Sequence, residues 1–151
     1  MRGGSSLFRS VVSLDGEWSI ATDPANVGRA ERWFEREPRA EAKTCIVPGP
    51  LELAFPGYDG VVWYWREFTA PPPECPDARY LLRFWAVDYL AEVWLNGTHV
   101  GGHEGGETPF ELDVTEALRT SGENLLTLRV VNPAHEPIDG LTLKQIPHRN
   151  K

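Results

Sequence analysis

The segment Val93-Trp94-Leu95-Asn96-Gly97-Thr98-His99-Val100 constrains the fold more than any other part of the chain. Asn-Gly readily takes the positive φ angles that a two-residue turn needs to match the twist of the strands it joins, and apolar residues flank it here on both sides. The block from Leu90 to Val114 therefore predicts a hairpin followed by a further strand. Its periodicity says nothing by itself about chemistry.

Strand signals continue on either side. Asp15-Gly16 offers a turn, after which Trp18 and Ile20 alternate with polar residues over Leu14 to Ile20. Cys45-Ile46-Val47 is a brief apolar strand stopped by Pro48-Gly49-Pro50, and 51–60 is a connection. In Val61–Thr69, Trp63 and Trp65 share one face while Val62, Tyr64, Arg66 and Phe68 share the other. Residues 80–87 are apolar at both parities, which predicts a strand buried on both faces near the centre of a sandwich. Phe110 to Val114 alternates apolar and acidic residues, as expected with one wet face, and Leu125 to Val131 alternates again. Two segments depart from this period. Ala30, Trp33 and Phe34 have helical spacing within 23–37, predicting a short helix or structured loop. Thr115 to Leu118 reads as one helical turn capped by Thr115 and closed by Ser121-Gly122. Seven or eight short strands with almost no helix predict an all-β fold, an antiparallel β-sandwich.

A chain of 151 residues suits one domain and buries roughly 68–70% of the surface its unfolded form exposes, enough for a core. The net charge of -7 and pI near 5.1 argue against nucleic acid or an anionic membrane as a partner. The densest basic group, Arg29, Arg32, Arg36, Arg39 and Lys43, is interleaved with Glu31, Glu35, Glu37 and Glu41 and reads as a solvated face. Two cysteines, Cys45 and Cys75, are too few for a disulfide scaffold or an all-cysteine zinc site, and free thiols are expected. Neither a secretory leader nor a stretch long enough to span a membrane is visible, so a cytoplasmic location is expected.

Candidate chemistry is sparse. Glu104, Glu107, Glu111 and Asp113 are close in the chain but lie on a Gly-rich loop and a strand, as solvated residues would. His99 and His103 have a spacing that presents two metal ligands together on a helix, a geometry that Gly101-Gly102 and the strand context remove. Neither a Gly-x-Ser-x-Gly segment nor a phosphate-binding glycine loop occurs. No metal, no cofactor and no catalytic residue is expected. Asn96-Gly97-Thr98 matches the N-glycosylation pattern, but the same residues make a good turn. The six tryptophans could stack on sugar rings, yet most sit at strand spacing and are expected in the core.

An ordered set of motifs adds more than periodicity. Leu14-Asp15-Gly16-Glu17-Trp18, Val47-Pro48-Gly49, Val62-Trp63-Tyr64-Trp65-Arg66, Val93-Trp94-Leu95-Asn96-Gly97, His103-Glu104-Gly105-Gly106-Glu107-Thr108-Pro109-Phe110 and Asp113-Val114-Thr115, in that order, resemble the N-terminal sugar-binding domain of glycoside hydrolase family 2. That family includes β-galactosidases, β-glucuronidases and β-mannosidases. The resemblance covers nearly the whole chain. It implies a galactose-binding-like jelly roll over residues 1–151, without the immunoglobulin-like and TIM-barrel domains that normally follow. Both catalytic glutamates of the family belong to the barrel, so the chain alone is expected to be inactive, with a β-glycoside and the barrel as partners. In galactosidase members an Asn just before the strand equivalent to Val61–Phe68 reaches the sugar. This chain has Tyr58-Asp59-Gly60 there, which makes Asp59 the one carbohydrate-binding candidate. The chain stops at Ile146-Pro147-His148-Arg149-Asn150-Lys151, where the family runs on into a strand that rejoins the sheet, so a truncated domain with an open sheet edge is expected.

Overall fold

The computed structural model describes residues 11–35, 41–106, 108–133 and 138. Among the described residues eight strands follow in chain order: β1 (Gly16–Thr22), β2 (Lys43–Val47), β3 (Gly60–Thr69), β4 (Leu81–Phe84), β5 (Leu90–Leu95), β6 (Thr98–Glu104), β7 (Phe110–Asp113) and β8 (Glu123–Asn132). The pairings among these eight strands are antiparallel. Six strands form one sheet in the order β2-β1-β3-β8-β5-β6, and β4 pairs with β7 in a second sheet. The result is the expected all-β sandwich of the jelly-roll kind. Residues 139–151, where an open sheet edge was expected, lie outside the described residues.

The turn between β5 and β6 forms as its sequence predicts, with Asn96 at φ 53° and Gly97 at φ 82°. Asn96 also anchors the turn. Its side-chain nitrogen donates to Ala117 O and Asn124 Oδ1, both at 2.9 Å, while its Oδ1 accepts from Leu125 N at 2.9 Å.

The six-stranded sheet is covered on both faces. On the inner face, Trp18, Val93, Leu95, Leu126, Leu128 and Val130 pack with Leu82 of β4 and Val114 beyond β7. There β6 comes close to β7: a Cβ at Gly101 would lie 2.7 Å from Leu112 Cδ2, and Gly101 also has φ +147°. Only glycine suits that position. On the outer face, Ala21, Val61, Trp63, Trp65, Trp94 and Val131 are covered by Trp33, with Val27 and Phe34 packed against the cluster. The covering segment, residues 23–35, holds only a 3₁₀ turn at Trp33–Glu35, the short structured loop that its spacing allows.

Two expectations need correction. The strand around residues 80–87 ends at Phe84 and is not buried on both faces, since Leu81 is 51% and Trp85 71% exposed. β4 belongs to a two-stranded sheet whose outer side carries the ion pairs Arg79–Asp113 and Arg83–Glu111. Apolarity at both parities cannot distinguish a strand buried on two faces from one whose second apolar face is solvated. The turn after β7 is present, with Leu118 N donating to Val114 O, but Thr115 does not cap it. Thr115 Oγ1 instead donates to Asp113 Oδ1 at 2.6 Å and accepts from Tyr80 N at 2.9 Å, while Asp113 Oδ1 takes the Thr115 N–H.

Candidate functional site

Asp59 lies at one end of the large sheet, immediately before β3. Gly60, at φ +134°, opens that strand opposite Asn132 at the end of β8. Tyr58 folds back over Gly60, where an added Cβ would lie 2.9 Å from the phenol oxygen, and its hydroxyl donates to Val61 O at 2.9 Å. Burial pushes the Tyr58 phenol above its ordinary range. With Tyr58 folded onto the strand, Asp59 is exposed at the rim, and its Oδ1 accepts from Asn132 Nδ2 at 3.3 Å.

The neighbouring strand ends complete this rim. Leu90 opens β5 opposite Val131 and Glu104, and Tyr89 N donates to Val131 O at 3.0 Å. Tyr89 Oη donates to Glu104 Oε2 at 2.8 Å, and this hydrogen bond raises the phenol's pKa. Gly105 N returns to Tyr89 O at 2.9 Å, and Asp88 lies so close to Gly106 that a Cβ there would meet its carboxylate at 2.7 Å. Asp59, Asp88 and Glu104 thus supply carboxylates at the rim, with Asn132 and Tyr89 attached to two of them. Such a surface accepts hydrogen bonds from hydroxyl groups. Asn132 and Tyr89 were not legible in the sequence, because Asn132 is 73 residues from Asp59 and only the β3–β8 register joins them.

Beneath the rim a buried polar frame holds the outer cover. Asp23, only 1% exposed, accepts from Val27 N, Gly28 N and Trp63 Nε1 at 2.8–2.9 Å. Gly28 passes directly over the Trp63 indole, leaving no room for a Cβ. Arg129, with a fully buried side chain, donates to Glu92 Oε1 at 3.1 Å and Asn26 Oδ1 at 2.7 Å. Glu92 also pairs with Arg29 at 3.2 Å. A cavity of about 210 Å³ opens elsewhere, among Glu17, Ser19, Thr44, Trp65, Arg66 and Glu67. Trp65 is 1% exposed and offers no ring face to a ligand there.

The other candidates resolve as structure. A bulge at Val100 of β6, opposite the Val93–Trp94 step of β5, sets His99 opposite Trp94 and His103 opposite Ala91. It reverses the alternation between them. His99 meets the edge of Trp94 at 5.4 Å on the outer face, whereas His103 stacks on Phe110 at 4.5 Å on the inner side. They cannot share a metal ion, and among the described residues no group of three potential ligands occurs. Glu111 pairs with Arg83 and Asp113 with Arg79; Glu107 lies outside the described residues. Hydrogen bonds from Thr115, then Arg79, hold the Asp113 carboxyl at about 2. Cys45 and Cys75 are free thiols. Five tryptophans are at most 8% exposed, as their spacing predicted.

Comparison with known proteins supplies the rest. Residues 50–144 match the family described as glycosyl hydrolases family 2, sugar binding domain. A β-glucuronidase of Rattus norvegicus is 33% identical over 147 residues, which cover 89% of this chain and 22% of that protein. One from Paenibacillus borealis is 33% identical over 132 residues, covering 84% and 22%. The crystal structure of Ruminococcus gnavus β-glucuronidase superposes with a TM-score of 0.74 at 28% identity, covering 81% of this chain and 21% of that one. The chain thus spans about a fifth of the length of the relatives it matches.

Proposed function

The chain belongs to glycoside hydrolase family 2 as its sugar-binding domain, and from that premise we propose that the whole protein is a β-glucuronidase-like enzyme to which this domain contributes part of the pocket rim. The observation that carries this reading is the agreement between sequence relatives and structural neighbours, which are named β-glucuronidases.

In this reading an immunoglobulin-like domain and a TIM barrel complete the protein, and two barrel carboxylates cleave the O-glycosidic bond with retention. The jelly roll holds no catalytic group. Asp59 accepts a hydrogen bond from a sugar hydroxyl, with Asn132 steadying its carboxylate. An exposed carboxylate suits a hydroxyl far better than the carboxylate of a uronic acid, which it would repel. Asp59 therefore serves orientation, and recognition of the acid falls to the barrel.

Assay of the whole protein with aryl β-glucuronide, β-galactoside and β-mannoside tests the substrate class, and preference for either neutral glycoside would overturn it. Asp59→Ala is expected to raise KM about 5- to 30-fold, the loss of about one to two kcal/mol from a single polar contact. Unchanged kcat and KM would instead favour a purely structural domain that shapes the barrel. The five buried tryptophans speak against a free-standing module that binds sugar through most of its aromatics.

A further inference from the structure

Trp85 is the exception among the tryptophans. It is 71% exposed, whereas the other five are buried. It follows β4 directly, and the connection 85–89 joins β4 to β5, whose first residue lies at the rim that carries Asp59 and Asn132. Five residues span at most about 18 Å, so Trp85 lies within one short connection of that rim.

Arg83, two residues earlier on β4, places its guanidinium 4.4 Å from the Trp85 ring centroid. Glu111 of β7, directly opposite in register, approaches Arg83 Nη1 at 3.4 Å. The carboxylate keeps the guanidinium beside the indole but engages one nitrogen of a planar group with five donors. A cation can cover only one face of the ring, and a side chain this exposed keeps the other face in solvent. An open indole face beside a fixed guanidinium suits a ligand with an apolar ring face and a carboxylate on its edge.

We propose that Trp85 and Arg83 form a surface subsite for a carboxylated sugar, a uronic acid unit. The C–H face of the pyranose stacks on Trp85, and the carboxylate takes the Arg83 donors that Glu111 leaves open. The subsite is separate from Asp59 and does not depend on the parent enzyme's hydrolysing a glucuronide.

The test is a titration of the chain with methyl β-glucuronide, monitored by fluorescence and by acrylamide quenching of the exposed tryptophan. Methyl β-glucoside and sodium acetate are the controls. Millimolar glucuronide is expected to protect Trp85 from the quencher, and Trp85→Ala to abolish both the quenchable component and binding measured by calorimetry. Arg83→Gln should weaken glucuronide binding about 3- to 10-fold, to the level of the glucoside, as expected on losing one exposed charge-assisted contact. Near-UV circular dichroism of both variants should match the parent, since neither side chain is in the core.

Equal affinity for glucuronide and glucoside in the parent chain would overturn the proposal. So would protection by acetate alone, which would reduce the site to an ion pair with Arg83. Shielding of Trp85 from acrylamide in the whole protein without sugar would also overturn it, by assigning this face to interdomain packing. None of these outcomes bears on the glucuronidase assay.

Discussion

On the inner face of the six-stranded sheet, aliphatic residues of β5 and β8 meet Leu82 and Val114, and strands of a second sheet close the core. On the outer face, Trp63, Trp65 and Trp94 lie under a segment that contains no strand. A sheet can cover aliphatic side chains while satisfying its own backbone through its ladder. An irregular segment cannot, and its amides need acceptors from elsewhere. Asp23 supplies two of them, to Val27 and Gly28, and ties the same carboxylate to Trp63. The contrast teaches that the outer face obtains with large rings and buried charge what the inner face obtains with a second sheet.

The largest effect expected from this contrast is at Trp63. Trp63→Ala should cost about 3–5 kcal/mol in urea unfolding. Leu128→Ala, on the inner face, should cost less, since it removes a smaller side chain and orphans no polar group. A greater loss at Leu128 would break the distinction between the faces.

Next comes the buried ion pair. Glu92→Leu should cost about 3 kcal/mol because it removes a carboxylate partner from the fully buried Arg129. Arg129→Met should cost less, since Glu92 is partly exposed and keeps Arg29. The double variant should recover part of the loss. Strict additivity in a double-mutant cycle would show that the pair does not act as a unit.

Two titrations set smaller limits at opposite ends of the pH scale. Tyr64, half-buried on the inner side against Trp18, has its phenol pushed up to about 12 by desolvation, from an ordinary value of 10. A folded value above the unfolded one gives stability that is complete below pH 10 and lost as pH rises towards 12. Tyr64→Phe should flatten that alkaline limb, worth on the order of 2 kcal/mol. Asp113 titrates the other way. Its folded value of about 2 lies below the ordinary 3.8, so its contribution is present above pH 4 and lost as pH falls through 2. Asp113 is at the surface, so Asp113→Asn should change the acid limb only slightly. A large change would indicate that the small sheet depends on its outer ion pairs more than its packing implies.

Local chemistry was legible. The Asn96-Gly97 turn, the two faces of β3 and the alternation of β7 each depend on neighbours within a few residues, and the ordered motifs implied the jelly roll. Asp59 could be placed before β3, but not Asn132 beside it. The burial of residues 80–87 is not set by their apolarity, because composition does not say which face another sheet will cover. Trp85, alike in composition to the buried tryptophans, ends in solvent for the same reason.

By itself the sequence determined the strands, their turns and the family, since strand period and turn chemistry are properties of consecutive residues. Tertiary structure alone decided which strand ends share a rim, which tryptophan remains outside, and where a buried charge finds its partner. These are outcomes of register and sheet order, and the bulge at Val100, opposite the Val93–Trp94 step, shows how much they weigh. One extra residue there turns His99 and His103, four apart and alike in the sequence, to opposite sides of the sheet.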